Sequence, residues 1–167
     1  MSNLTRRTMI ASTSASAFLP LLPTVALAQE AKVVEMLNKH PDDKKKRYVF
    51  LPNIVSVQPG ETVIFKSVDK GHNSATIKDM LPEGAEDWDG KINKDIEITF
   101  NTPGFYGYKC TPHATVGMVG LIVVEGEGKL DNLEDALGIK LRGKSKKAWK
   151  EIWEEAEEMG LLEETVA

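Results

Sequence analysis

The stretch YKCTPHATVGMVG, residues 108–120, carries the one cysteine of a 167-residue chain, Cys110, with His113 three residues on and Met118 five beyond that. Of three histidines, His40 sits in a lysine-rich stretch and His72 in DKGHNS, residues 69–74. A thiolate, two imidazoles and a weakly bound thioether suit copper that cycles between Cu(I) and Cu(II), because the sulfurs favour Cu(I) while the imidazoles also suit Cu(II). Each side chain also has an ordinary reading. A lone cysteine is commonly a small buried hydrophobe, a methionine before VGLIVV belongs in a core, and a loop histidine is usually solvated. A second chemistry would have Cys110 attack a substrate with His113 as its base. Two residues between them on a tight turn suit joint ligation better, and no oxyanion-hole motif is evident.

The chain ends say why the thiol needs an occupant. Arg6 and Arg7 precede an apolar, small-residue run that closes on Ala26-Leu27-Ala28, and no acidic residue appears before Glu30. That is the pattern of a signal peptide, residues 1–28, cleaved after Ala28. Pro20, Pro23 and the Ser/Thr content argue against a membrane anchor, which needs about 20 clean apolar residues. The arginine pair suggests twin-arginine export. An exported protein normally pairs its cysteines or has none, so Cys110 needs a partner other than cysteine. Cleavage would take the formal charge from −4 to −6. No global basic footprint for nucleic acid exists, and no membrane contact is expected once the signal is gone.

The elements that must position these residues are short. KVVEML (32–37), RYVFL (47–51), IVSV (54–57), TVIFKS (62–67), IEITFN (96–101), FYGYKC (105–110) and MVGLIVVE (118–125) read as strands with Pro/Gly punctuation. They predict an all-β, antiparallel sandwich over residues 29–128. Tyr106, Tyr108 and Cys110 share one strand face and should point inward, with Lys109 outward. HPDDKKKR (40–47) reads as a solvated hairpin loop. Residues 129–167 change texture: DNLEDALG suggests a short helix with Asp131 as N-cap, and 145–160 a second helix with Trp149, Ile152, Trp153 and Ala156 on one face. That helix runs basic to acidic, against its dipole, so it must be held by docking its tryptophan face.

Cys-Thr-Pro-His followed by Met, with Gly-His-Asn upstream, resembles the blue-copper cupredoxins. The 38-residue step from His72 to Cys110 is similar to that of the pseudoazurins, as are VEMLNK (34–39), PGETVIF (59–65), DKGHNSATIKDMLPEGAE (69–86), KIN (91–93) and NLEDAL (132–137). The resemblance implies the cupredoxin Greek-key β-sandwich with two docked C-terminal helices. It implies one type 1 copper ion held by His72, Cys110 and His113, with Met118 as a long axial ligand, and Asn73 tying the two ligand-bearing segments together.

The function so implied is one-electron transfer without catalysis, in the periplasm, by a monomer. The acceptor would be copper nitrite reductase or another denitrification enzyme, the donor a cytochrome-type protein. His113 would be the electron port, in an apolar patch for which Met80, Pro82, Pro112, Ala114 and Val116 are candidates. Lys39, Lys70 and Lys109 match the family's ring of docking lysines. Two departures bear on the partner: Asp87 and Asp89 stand where the family tends to carry lysine, and Thr115-Val116 alters the loop between His113 and Met118. A copper protein with a storage role is the alternative from another functional class.

Overall fold

A computed structural model describes residues 31–140 and 143–164; the signal segment 1–28 lies outside the described residues. Eight strands form two four-stranded sheets. The first has the order β2 (Arg47–Leu51), β1 (Lys32–Lys39), β4 (Glu61–Lys66), β6 (Ile96–Phe100). The second has the order β3 (Ile54–Val57), β8 (Val119–Val124), β7 (Gly104–Lys109), β5 (Ala75–Thr76).

The expected antiparallel sandwich needs one correction. Pairs β1–β4 and β3–β8 are parallel. After β2 the chain crosses to the second sheet to make β3, and returns as β4 on the far side of β1. A strand that changes sheets breaks the simple hairpin order, so its neighbours meet in parallel.

Strands β7 and β8 form the middle of the second sheet, and their period-2 alternation divides the core. Tyr106, Tyr108 and Cys110 face the space between the sheets with Ile122, Val124 and Met118. The other face of the same strands puts Phe105, Val119, Leu121 and Val123 against the C-terminal helices. This explains why all six residues of VGLIVV are buried: both faces of the strand are covered, so apolar residues need not alternate with polar ones.

Helices α1 (Leu133–Leu137) and α2 (Lys144–Glu158) make that cover. Trp149, Ile152 and Ala156 are each at most 2% exposed, and Trp153 lies 5.9 Å from the Phe105 ring. Such burial contributes about 1.5–3 kcal/mol per large apolar side chain, enough to hold a helix whose charges run against its dipole. Asn132, not Asp131, occupies the N-cap of α1. Its amide instead accepts from the Phe105 N–H at 3.0 Å and donates to the Phe105 carbonyl at 2.8 Å, fastening α1 to β7.

Candidate metal centre

The end of β7 delivers Cys110 into a turn that closes on itself. The His113 N–H donates to the Cys110 carbonyl at 3.1 Å, the Met118 N–H to the His113 carbonyl at 3.1 Å, and the Cys110 N–H to the Met118 carbonyl at 3.0 Å. Residues 114–116 form a 3-10 turn that Gly117 ends at φ 101°, a left-handed conformation that favours glycine. Three of the four expected residues are thus fixed by one short loop.

His72 arrives from the other side, just before β5. Its segment is held from several directions. Asn93 N–H donates to the His72 carbonyl at 2.8 Å, and the Asn93 side chain accepts from the Gly71 N–H at 2.6 Å. Asn73 Oδ1 accepts from the Thr111 N–H at 2.8 Å, while its Nδ2 donates to the Gly90 carbonyl at 2.9 Å and to Thr111 Oγ1 at 3.1 Å. Asn73 therefore joins the two segments at Thr111, next to Cys110.

His72 Nδ1 lies 3.7 Å and His113 Nδ1 3.4 Å from Cys110 Sγ, and the three donor atoms all fall within 4.8 Å of one another. With metal–sulfur and metal–nitrogen bonds of about 2.3 and 2.0 Å, two donors on one ion at near-trigonal angles stand about 3.4–3.7 Å apart. The donors fit a single soft-to-borderline ion. Met118 is fully buried in the same core cluster as Cys110.

Protonation agrees with this use. His72 Nε2 lies 3.1 Å from Asn38 Oδ1, an acceptor that draws the ring proton to Nε2 and leaves the Nδ1 lone pair free. Burial, then the neighbouring His113, lower the His72 pKa, against the pull of Asp69. Burial pushes the Cys110 thiol up, partly offset by backbone hydrogen bonds from Asn73 and His113. The thiol keeps its proton at neutral pH unless a cation replaces it.

Sequence reasoning missed three residues here. Tyr48 of β2 stacks on His113, ring centroids 4.2 Å apart and planes 5° from parallel. Asn38 and Asn93 brace His72. Asn38 sits in VEMLNK and Asn93 in KIN, two stretches that resembled the family; nothing in the sequence itself marked Tyr48.

Two candidates for the apolar patch are elsewhere. Met80 is fully buried under the helices, and a Cβ at Gly107 would lie 2.5 Å from its sulfur. Pro82 is buried against Gly104, at the opposite end of β7 from Cys110. Pro112 and Val116 are exposed, and Ala114 is half-buried. Lys39 and Lys70 are exposed, and Lys70 adjoins Gly71, whose Cβ position lies 4.0 Å from His113. Lys109 is half-buried, and exposed Asp87 pairs with Lys78 at 3.2 Å.

Comparison with known proteins fits this geometry. A family of copper binding proteins, the plastocyanin/azurin family, matches residues 35–125. Pseudoazurins of Paracoccus pantotrophus and Methylorubrum extorquens are 42% and 40% identical over 113 and 134 residues, which is 68% and 80% of this chain and 74% and 85% of theirs. The chain belongs to the pseudoazurins. A solved pseudoazurin from Sinorhizobium superposes with a TM-score of 0.71 at 49% identity, over 77% of this chain and 98% of that one. The pseudoazurin of Methylobacterium extorquens AM1 gives 0.69 at 36% identity, over 75% and 98%. As a pseudoazurin the protein is a type 1 copper electron carrier and not an enzyme, which disposes of the Cys110–His113 nucleophile.

Proposed function

We propose that His72, Cys110, His113 and Met118 hold one copper ion, and that the protein, exported and trimmed to residues 29–167, carries single electrons in the periplasm. The acceptor is copper nitrite reductase or another denitrification enzyme, the donor a cytochrome-type protein. The observation that carries this reading is the convergence of three donor atoms within 4.8 Å beneath a half-exposed His113.

Copper supplies a Cu(I)/Cu(II) couple. The chain supplies a fixed frame: Asn38 holds the His72 tautomer, Asn73 locks the His72 segment to Thr111, and the closed 110–118 turn keeps Cys110, His113 and Met118 in register. Burial of Cys110, His72 and Met118 excludes water, while His113 reaches the surface. Pro112, Ala114 and Val116 form the apolar contact around it, with Lys39, Lys70 and Lys109 as flanking charges.

Added Cu(II) should give an intense visible thiolate-to-copper band that bleaches on reduction and is missing in Cys110→Ala. A colourless protein with a freely reactive thiol would overturn the ligand set. Mixing the reduced protein with copper nitrite reductase should reoxidise it quickly and in a salt-sensitive way. A protein that binds copper but passes no electron to nitrite reductase or another denitrification enzyme would leave the storage role. Recovery from the periplasm with Gln29 at the N-terminus checks the export reading.

A further inference from the structure

Beside His113 a groove of about 530 Å³ opens between the β1–β2 connection, β2 and α2. Lys45, Lys46 and Arg47 line it from the connection and the start of β2, Lys144 and Lys147 from α2. Tyr48 and Val116 line it as well, and both touch the port. Tyr48 stacks on the His113 ring, and the Val116 N–H donates to the His113 carbonyl at 3.1 Å. Arg47 lies over the Tyr48 ring with Cζ 5.7 Å from its centre, so cation, phenol and imidazole follow one another from groove to metal centre.

The cations are available. Among the described residues Lys45, Lys46, Arg47 and Lys144 make no ion pair; Lys147 meets Glu151 at 3.5 Å on the exposed helix surface. The charge order of α2 now has an explanation. Its N-terminal half carries Lys144, Lys146, Lys147 and Lys150, and its C-terminal half five glutamates between 151 and 158. That order opposes the helix dipole and disfavours the helix. Its first turn is docked on the ligand loop, where Ser145 Oγ donates to the Ala114 carbonyl at 2.6 Å and Gly117 faces Ala148 and the Lys144 carbonyl. The unfavourable order places Lys144 and Lys147 in the groove beside the port; Glu151 and Glu155 line it as well, Glu151 paired with Lys147 at 3.5 Å, so Lys45, Lys46, Arg47, Lys144 and Lys147 outnumber the two carboxylates there. On a chain of net charge −4, this concentrates positive potential where an electron must leave.

We infer that this groove, formed by the 45–47 segment and the first turn of α2, is the docking site for the acidic face of the globular redox protein that exchanges electrons through His113. The inference rests on the carrier role proposed above and names its recognition surface. HPDDKKKR is then a binding element, not only a solvated turn. The flanking Lys39, Lys70 and Lys109 are secondary to it. Acidic groups on the partner meet Lys45, Lys46, Lys144 and Lys147, leaving Tyr48 and Val116 as the apolar contact against His113.

Two measurements test this. The first uses the reduced, copper-loaded protein and hexacyanochromate(III), a redox-inert paramagnetic trianion, with amide NMR as readout. Broadening should centre on residues 45–48, 115–117 and 144–147, weaken with salt, and move away in Lys45→Gln/Lys46→Gln/Lys144→Gln. Broadening centred on Lys39, Lys70 and Lys109 instead would overturn the assignment. The second follows electron transfer to copper nitrite reductase at low ionic strength. Charge reversal at Lys45, Lys46, Lys144 and Lys147, in a variant that keeps the parent spectrum, should slow the second-order rate about tenfold or more and flatten its salt dependence. A rate unchanged by the reversal would sink the proposal. Should the parent protein transfer nothing to that enzyme, the acceptor reading fails alone and the NMR result decides the surface. Tighter binding to phosphatidylglycerol vesicles than to the acidic protein would assign the groove to a membrane and overturn the protein-docking proposal.

Discussion

Tyr48 lies parallel to His113 at 4.2 Å, and it does so from a backbone angle of φ 54°. A bulky residue in the left-handed region costs about 1–3 kcal/mol and persists only where its surroundings impose it. Here the imposed conformation puts a phenol ring on the face of the half-exposed histidine. The stack itself contributes about 0.5–1.5 kcal/mol, comparable to the strain.

Three substitutions separate these effects. Tyr48→Phe should retain the visible spectrum and reduction potential, since the ring face is kept. Tyr48→Ala should change the potential and lower the melting temperature, because the stack is lost and the strain stays. Tyr48→Gly also loses the stack but relieves the backbone, and should be more stable than Tyr48→Ala by about 1 kcal/mol. Equal melting temperatures for the Ala and Gly variants would show that the angle carries no strain.

Asn73 spans the two segments that the metal needs together. Asn73→Ala deletes its bonds to Thr111 and Gly90 and leaves the Thr111 N–H without its acceptor. The expected loss is about 2–3 kcal/mol in the apo protein, with copper affinity down about 10- to 100-fold. Chemical denaturation and competition against a copper chelator measure the two losses separately. Asn38→Leu should lower copper affinity through the His72 tautomer. An affinity equal to that of the parent would show that another group fixes the ring.

β2 and β3 were legible in the sequence to the residue because β-branched and aromatic runs end there at turn signals. β5 has two residues, too few to show a period. The parallel pairings depend on where a strand goes after crossing between sheets, which no local pattern records. At the metal centre, Cys110, His113 and Met118 were legible because one loop carries all three. Asn38 was not, since it meets His72 across 34 residues, nor was Tyr48, whose partner lies in the loop between two strands of the other sheet. Met80 was misplaced because the resemblance that offered it for the patch does not record which way the 3-10 turn Lys78–Met80 packs; Gly107 leaves the space that draws it under the helices.

Trp149 tests how α2 is held. Its ring is 1% exposed, yet among the described residues its Nε1–H has no hydrogen-bond partner. Trp149→Ala should cost about 3–5 kcal/mol and loosen the ligand loop through the Ser145–Ala114 contact. In Trp149→Phe the lost apolar area is offset by removal of the unsatisfied donor, which otherwise costs about 1–3 kcal/mol. Its stability should stay within about 1 kcal/mol of the parent. A loss in Trp149→Phe as large as in Trp149→Ala would show that the indole N–H is satisfied in solution.

The stability of the copper-free protein should depend on pH through His72. Burial, then His113, lower the folded His72 pKa below its ordinary 6.5, with Asp69 opposing. Between the folded and unfolded values the unfolded chain binds more protons at this site, so stability rises with pH there. His72 thus adds no penalty above 6.5, and the apo protein loses stability as pH falls through that value toward the lower folded one. Melting temperatures of the apo protein, taken from about pH 8 down to about pH 5, should decline on the acid side. In His72→Gln, which cannot take up that proton, the decline should be shallower. An identical slope in the two proteins would place the acid-sensitive group elsewhere.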